Sequence, residues 1–245
     1  MNDLKEENDV QNGLKERPVG PKRAARRGAV RSGRPRKELA GAVEERILDA
    51  ARKVFLERGF DGASIEEIAE TARSGKPTIY ARFPGKEALF TAVVTQTVAA
   101  NVARIEAHAP TGATIEQRLK SVAVTALEWI LRSDTIDLMR IAIAEAARFP
   151  DLASSVYAMA RERGGQPVAR ILAEASQSDE FGAWPAFAPE HVVTTTQLYQ
   201  HLVILPLGIR ALFGEKLEQL RAEIEPHATR GVAHFLGACR YGGVN

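Results

Sequence analysis

The sequence predicts an all-α protein. Three observations carry this: apolar residues recur at three-and-four spacing from Val43 almost to the end of the 245 residues, nothing after Phe90 alternates with the period of a strand, and Gly- and Pro-containing breaks divide the pattern into helix-sized pieces. At this length two compact units are expected, a small N-terminal three-helix unit and a larger C-terminal helical one. With 45% of residues hydrophobic and 26% charged, the chain has enough apolar surface for a sizeable core. The single cysteine, Cys239, excludes an internal disulfide and a cysteine-based zinc site. The longest apolar run, Leu202 to Ile209, is interrupted by Pro206 and Gly208, so no membrane span is expected. Met1 to Gly20 has no apolar region of the signal-peptide kind, which favours the cytoplasm.

Residues 1–42 form the first segment, a basic arm. Residues 1–43 hold 11 Lys and Arg against 6 Asp and Glu, although the whole chain carries a net charge of only +2. Lys22 through Lys37 contains no acid; such a block is expected to stay disordered until a polyanion arrives, and nucleic acid is the better match than a merely solubilising tail. Within it Gly33-Arg34-Pro35, with Arg31 before and Arg36-Lys37 after, resembles an AT-hook core. Pro35 holds the strand extended and Gly33 leaves room, so the arginines can enter a narrow minor groove.

The second segment, residues 43–92, opens with helix 1, whose Val43, Ile47, Ala50, Ala51, Val54 and Phe55 share one face and which should stop at Gly59. Ser64 and Glu67 offer a capping box for helix 2, whose apolar face is Ile65, Ile68, Ala69 and Ala72. Arg73-Ser74-Gly75 breaks the chain before a third helix over Lys76 to Phe83, with Pro77 in its first turn. Pro84-Gly85 ends that helix, and Lys86-Glu87-Ala88-Leu89-Phe90 opens a longer one. Two short helices joined by a tight turn after a packing helix make a helix-turn-helix unit.

The runs Ser64 to Ala72 and Lys76 to Phe90 resemble the DNA-binding domain of TetR-family transcriptional regulators, through the Thr78-Ile79-Tyr80 step, Phe83 and the Lys86-Glu87-Ala88-Leu89 start. Arg73 stands where the family usually has glycine. The resemblance implies that helix 3 lies in the major groove, with Ser64, Arg73, Lys76, Thr78, Tyr80, Arg82 and Lys86 as contacts beside Arg31, Arg34, Arg36 and Lys37 of the arm. Ile65, Ile68, Ile79 and Phe83 read as core. The acidic Glu66, Glu67 and Glu70 are expected to face away from the duplex.

The third segment, residues 93–245, is expected to bind an effector and to dimerise. Val94, Val98, Val102 and Ile105 extend helix 4, and after Pro110-Thr111-Gly112 the next helix carries Ile115, Leu119, Val122, Ala126 and Trp129. A short helix from Met139 to Ala147 follows, ended by Phe149-Pro150; Asp151 is read as the cap of Leu152 to Arg163, and residues 178–189 as an aromatic loop. Val192 to Phe213 and Leu217 to Cys239 close the chain, with Pro226 as a kink. The former is apolar on more than one face, so both helices are read as meeting their copies in a four-helix homodimer interface through Leu198, Leu202, Leu205, Ile209, Leu212, Ile224, Gly231 and Phe235. The Arg140 to Leu152 block is similar to an AefR-like C-terminal subgroup. By that resemblance a small-molecule effector occupies this unit; Trp129, Met139, Arg140, Ile143, Glu145, Phe149, Tyr157 and His201 are the candidate lining, with Trp184 and Phe187.

Neither an enzyme, a metal nor a cofactor is expected. The five histidines fit no zinc pattern, and there is no phosphate-cradling loop, nucleophile elbow or dinucleotide fingerprint. The reading is thus a DNA-binding regulator, a repressor released from a palindromic operator by a small molecule. The alternatives are an effector-independent DNA-binding dimer and a nucleoid-type protein dominated by its arm.

Overall fold

The computed structural model describes the backbone of residues 36–240 and their side chains from 41 onward. Arg31 and Arg34 lie outside the described residues, as do the side chains of Arg36 and Lys37. The helices are α1 (Arg36–Gly62), α2 (Ile65–Thr71), α3 (Lys76–Tyr80), α4 (Lys86–Ala107), α5 (Ile115–Ile130), α6 (Ser133–Ala144), α7 (Pro150–Glu162), α8 (Gln166–Ala175), α9 (Val192–Tyr199), α10 (Leu205–Leu212) and α11 (Leu217–Arg240). No strand occurs among the described residues.

Several boundaries differ from expectation. Helix α1 begins at Arg36 rather than Val43, because Lys37 to Ala40 are good helix formers that simply extend it into the basic segment. It breaks where expected, at Gly59, whose φ of 70° is open to glycine at little cost. Helix α6 starts at Ser133 rather than Met139: Ser133, Asp134, Thr135 and Asp137 dilute the apolar pattern of its first turns, although Ile136 and Leu138 there are buried. Phe149, not Asp151, is the cap of α7, since Pro150 takes the first helical position. Helix α8, which buries Val168, Ile171 and Leu172, has no counterpart among the helices expected from the sequence.

One core joins α1 to α4 with part of the larger unit. Phe90 meets Phe55 and Phe60 edge-on at 5.1 and 5.0 Å, Phe55 and Phe60 lie nearly parallel at 6.1 Å, and Phe149 from the α6–α7 turn completes the cluster, 5.2 Å from Phe60. Leu138 and Leu152 belong to the same buried cluster. Helix α4 is long and apolar enough to cross a membrane, contrary to the sequence expectation that no segment is. Its apolar face is covered inside the protein: Leu89, Phe90, Val93, Val94, Val98, Val102 and Ile105 are buried, and it packs against α1, α5, α6 and α7. The core of the larger C-terminal unit, the body as distinct from the head formed by α1 to α3 and the start of α4, is built on α11 against α5, with Phe187, Tyr199, Val203, Val232 and Phe235 buried.

Helices α9 and α10 are one rod interrupted by a π turn, Gln200–Ile204. Pro206 explains it: the ring lacks an N–H and crowds the carbonyl four residues back, and a wider turn relieves the contact. The Leu205 amide then reaches the Gln200 carbonyl. From α11, His227 Nε2 donates to the Val203 carbonyl at 2.8 Å. Gly231 lets the two rods approach, since a Cβ there would stand 3.2 Å from Val203 Cγ2.

Candidate nucleic-acid interface and an adjoining cavity

The helix-turn-helix is braced from behind. Arg46 Nε donates to the Ala72 carbonyl at 2.9 Å, tying α1 to the end of α2. At the other end of α2 the Ser64 hydroxyl accepts the Glu67 amide at 3.1 Å. Only that half of the expected capping box forms, because the Glu67 carboxylate pairs with Arg58 at 3.1 Å instead. A full capping box stands at Thr114 and Gln117, opening α5.

The turn between α2 and α3 closes by two backbone bonds, Arg73 N to Glu70 O at 3.0 Å and Ser74 N to Ala69 O at 2.9 Å. This pairing requires a left-handed residue just past the helix end, where glycine is usual. Arg73 fills that slot at φ 47°, the one non-glycine residue at positive φ among the described residues. Gly75, two positions on, keeps an ordinary φ of −75° and serves as the cap of α3. The arginine therefore accepts the conformation that glycine would otherwise supply.

Helix α3 turns Ile79 inward, with Phe83 buried just beyond it. Lys76, Pro77, Tyr80 and Ala81 are exposed, a single face at helical spacing; Tyr80 is 51% exposed. Thr78 and Arg82 are half-buried at its edge, Arg82 Nη1 donating to the Thr78 carbonyl at 3.1 Å. Lys76 forms an ion pair with Glu66, whose carboxyl its ammonium holds below the usual range. Lys86 is drawn inward: its Nζ donates to the Asp61 and Ala63 carbonyls at 3.2 and 3.0 Å and sits 4.6 Å over the Phe60 ring.

Beneath this head lies a cavity of about 260 Å³. Helix α4 supplies Val98, Asn101, Val102 and Ile105 to its wall; α5, α6, α7, the start of α8 with Gly164 before it, and the α9–α10 rod supply the rest. No charged side chain lines it. Its polar groups are largely engaged: Asn101 Nδ2 donates to Thr135 Oγ1 at 3.2 Å, Gln200 Nε2 to the Arg161 carbonyl at 3.2 Å, and the Tyr199 hydroxyl to the Leu119 carbonyl at 2.7 Å. Burial pushes the Tyr199 phenol well above its usual range, so it stays protonated and a donor.

Of the lining residues expected from sequence, the structure brings only Met139 to this cavity. Arg140 is used to cap α10, donating to the Ala211 and Leu212 carbonyls at 2.7 and 3.2 Å. Phe149 packs in the head core, while Ile143 and Tyr157 are 59% and 61% exposed. His201 is also exposed, and Glu145 closes the turn after α6. Trp129 faces a different, polar pocket. Trp184 and Phe187 stack on each other in the body core, 5.4 Å apart. The cavity is walled mostly by aliphatic residues that read as ordinary core in the sequence, not by the aromatic and charged side chains that stand out there.

The expected interface divides in the same way. Leu202, Leu205 and Ile209 are exposed at 38%, 48% and 41%, continued by Phe213 at 88%. Ile224, Gly231 and Phe235 are buried within the protein's own core, and Leu198 and Leu212 pack against it. On α11 the apolar stripe thus belongs to the core rather than to a copy.

Comparison with known proteins places both units. Residues 47–93 match the model for bacterial regulatory proteins of the tetR family, and residues 117–242 match that for the C-terminal domain of AefR-like transcriptional repressors. The HTH-type transcriptional regulator RutR of Escherichia coli is 41% identical over 69 residues, 28% of this chain and 32% of RutR. The HTH-type transcriptional activator FasR of Mycolicibacterium smegmatis is 34% identical over 113 residues, 45% of this chain and 49% of FasR. The chain matches only a third to a half of the length of these curated relatives. A TetR-family regulator from Mesorhizobium loti superimposes with a TM-score of 0.70 at 25% identity, over 81% of this chain and 97% of that one. The flavonoid-responsive regulator FrrA gives 0.60 at 26% identity, over 82% and 98%.

Proposed function

The chain belongs to the tetR family of bacterial regulatory proteins, DNA-binding transcriptional regulators, and from that membership we propose that it is a repressor released from a palindromic operator by a small apolar molecule. The carrying observation is α4. This one helix of 22 residues, about 33 Å long, begins in the head at Lys86 and ends as a wall of the cavity at Ile105. A ligand that moves the cavity end moves the head.

The reading assigns roles as follows. The exposed face of α3, Lys76 and Tyr80 with Thr78 and Arg82 at its edge, enters the major groove, and Arg73 reaches a base edge or phosphate beside it. Opening the exposed Lys76–Glu66 pair to meet a phosphate costs little, since such pairs contribute about 0 to 1 kcal/mol. Ser64 and the α4 start at Lys86 approach the backbone, and Arg31, Arg34, Arg36 and Lys37 add minor-groove or phosphate contacts. Leu202, Leu205, Ile209 and Phe213 meet their copies in a homodimer, which sets the half-site spacing. An apolar wall with a few engaged polar groups suits a mostly apolar effector. A preference of about 1 to 3 kcal/mol for the DNA-incompetent state would weaken operator binding roughly 5- to 150-fold.

The test is selection of fragments from the source genome by the purified protein at physiological salt, where non-specific contacts fade. Enrichment of one palindrome is expected; featureless or merely A·T-rich enrichment would overturn the reading in favour of an arm-dominated protein. Leu205→Glu should give a monomer in sedimentation that no longer binds the palindrome. The resemblance to FasR favours a second reading, an activator, and the sign of a reporter's response from that operator decides between them.

A further inference from the structure

A second space, about 240 Å³, lies where the head meets the body, bounded by α1, α4, α5 and the start of α6. Its character is opposite to that of the apolar cavity. Arg52, Arg104 and Arg132 line it with Asp49 and Asp134, leaving one positive charge in excess. Asp134 is already taken, by Arg52 Nη2 at 2.6 Å and Arg132 Nε at 3.4 Å. The Nε of Arg52 is buried without a hydrogen-bond acceptor among the described residues. Arg104 and Arg132 lie 4.4 and 5.3 Å from the centre of one ring, Trp129, so two like charges share a platform and repel. A buried donor without an acceptor and gathered guanidinium forks both call for an anion.

We infer that this pocket binds an oxyanion, a carboxylate or phosphate group, held by Arg52, Arg104 and Arg132 over Trp129. Occupancy has a structural consequence, because the Arg52–Asp134 pair is a direct tie between α1 of the head and α6 of the body. An oxyanion on Arg52 competes with Asp134 and loosens that tie. The anion has two possible sources. Asn101 and Thr135 line both spaces and their 3.2 Å hydrogen bond stands between them, so the group is either a free anion or the charged end of a molecule whose body fills the apolar cavity. Binding itself does not rest on the repressor reading.

Trp129 reports directly once Trp184→Phe has left it as the only tryptophan, the chain having two. Inorganic phosphate, octanoate and 1-octanol are titrated against the full chain at constant ionic strength set with chloride. A saturable change in Trp129 fluorescence is expected, at least tenfold weaker in the Arg104→Gln/Arg132→Gln double variant, whose replaced side chains are exposed and whose fold is checked by circular dichroism. A response to phosphate identifies a free anion. A response to octanoate alone identifies the charged end of a cavity-filling molecule. No saturable response to either anion, an unchanged response in the double variant, or octanol matching octanoate overturns the site.

Discussion

Replacing Arg73 with glycine is expected to stabilise the head while weakening its hold on DNA. Arg73 sits at φ 47°, in the left-handed region. That conformation costs a side-chain-bearing residue about 1 to 2 kcal/mol. Glycine removes the cost but gives up about 0.5 to 1 kcal/mol more chain entropy on folding, so a net gain of about 0.5 to 1 kcal/mol remains. For a chain of this size such a gain raises the melting temperature by about 1 to 4 °C in a calorimetric scan. Arg73→Ala is the control: it removes the guanidinium but keeps the Cβ, and so should gain nothing in stability. Both variants should lose operator affinity alike, by about five- to a hundredfold if the guanidinium reads a base, in a fluorescence anisotropy titration. An Arg73→Gly protein that melts no higher than Arg73→Ala would refute the argument from backbone strain, whatever happened to the affinity.

Three other outcomes follow from packing and charge. Gly208→Ala on the cavity wall should raise stability by about 0.5 to 1 kcal/mol through helix propensity, because the new Cβ meets only Ile130 Cγ2 at 3.9 Å; Gly164→Ala should unfold more easily, its Cβ falling 2.3 Å from the Ala160 carbonyl oxygen, as urea denaturation of the pair would show. Burial pushes the Cys239 thiol up to about 12, so at pH 8 the native protein should react with iodoacetamide on the order of a hundredfold more slowly than the unfolded chain. Burial raises the Asp134 carboxyl, but Arg132 and Arg52 outweigh it and hold the group below its usual range. Its pairing therefore stabilises the fold above the unfolded value and is lost as pH falls through the lower folded one, and the deficit of Asp134→Asn, at most about 1 kcal/mol for a partly exposed pair, should close below about pH 4.

What was legible in the sequence was local and periodic. Ile65, Ile68, Ile79 and Phe83 could be assigned to the core because each pair keeps helical spacing over a few residues, even though Phe83 falls just past the end of α3, and Gly59 because a stop needs only its own residue. Apart from Met139 the cavity was not legible, since its wall gathers Val98, Val122, Ile136, Val156 and Ile204 from five places in the chain, each indistinguishable from ordinary core in its own helix. Arg140 misled for the converse reason: a charged residue beside an apolar run resembles a ligand anchor, and only the fold reveals the α10 carbonyls that it caps. The polar pocket at the head–body junction carries no motif at all. The π turn did leave a trace, Pro206 in the middle of a helical pattern, though a proline alone does not distinguish a wide turn from a break.

The continuity of α4 also governs how such a protein can be recombined. A chimera that joins this head to the body of a relative must be spliced somewhere between Lys86 and Ala107. A junction one residue out of step turns the head by about 100° about the helix axis and shifts it by about 1.5 Å. Deletions in the loop between α4 and α5 leave that register untouched. Heads and bodies can therefore be exchanged only in phase, whereas the connection that follows α4 is free to change its length.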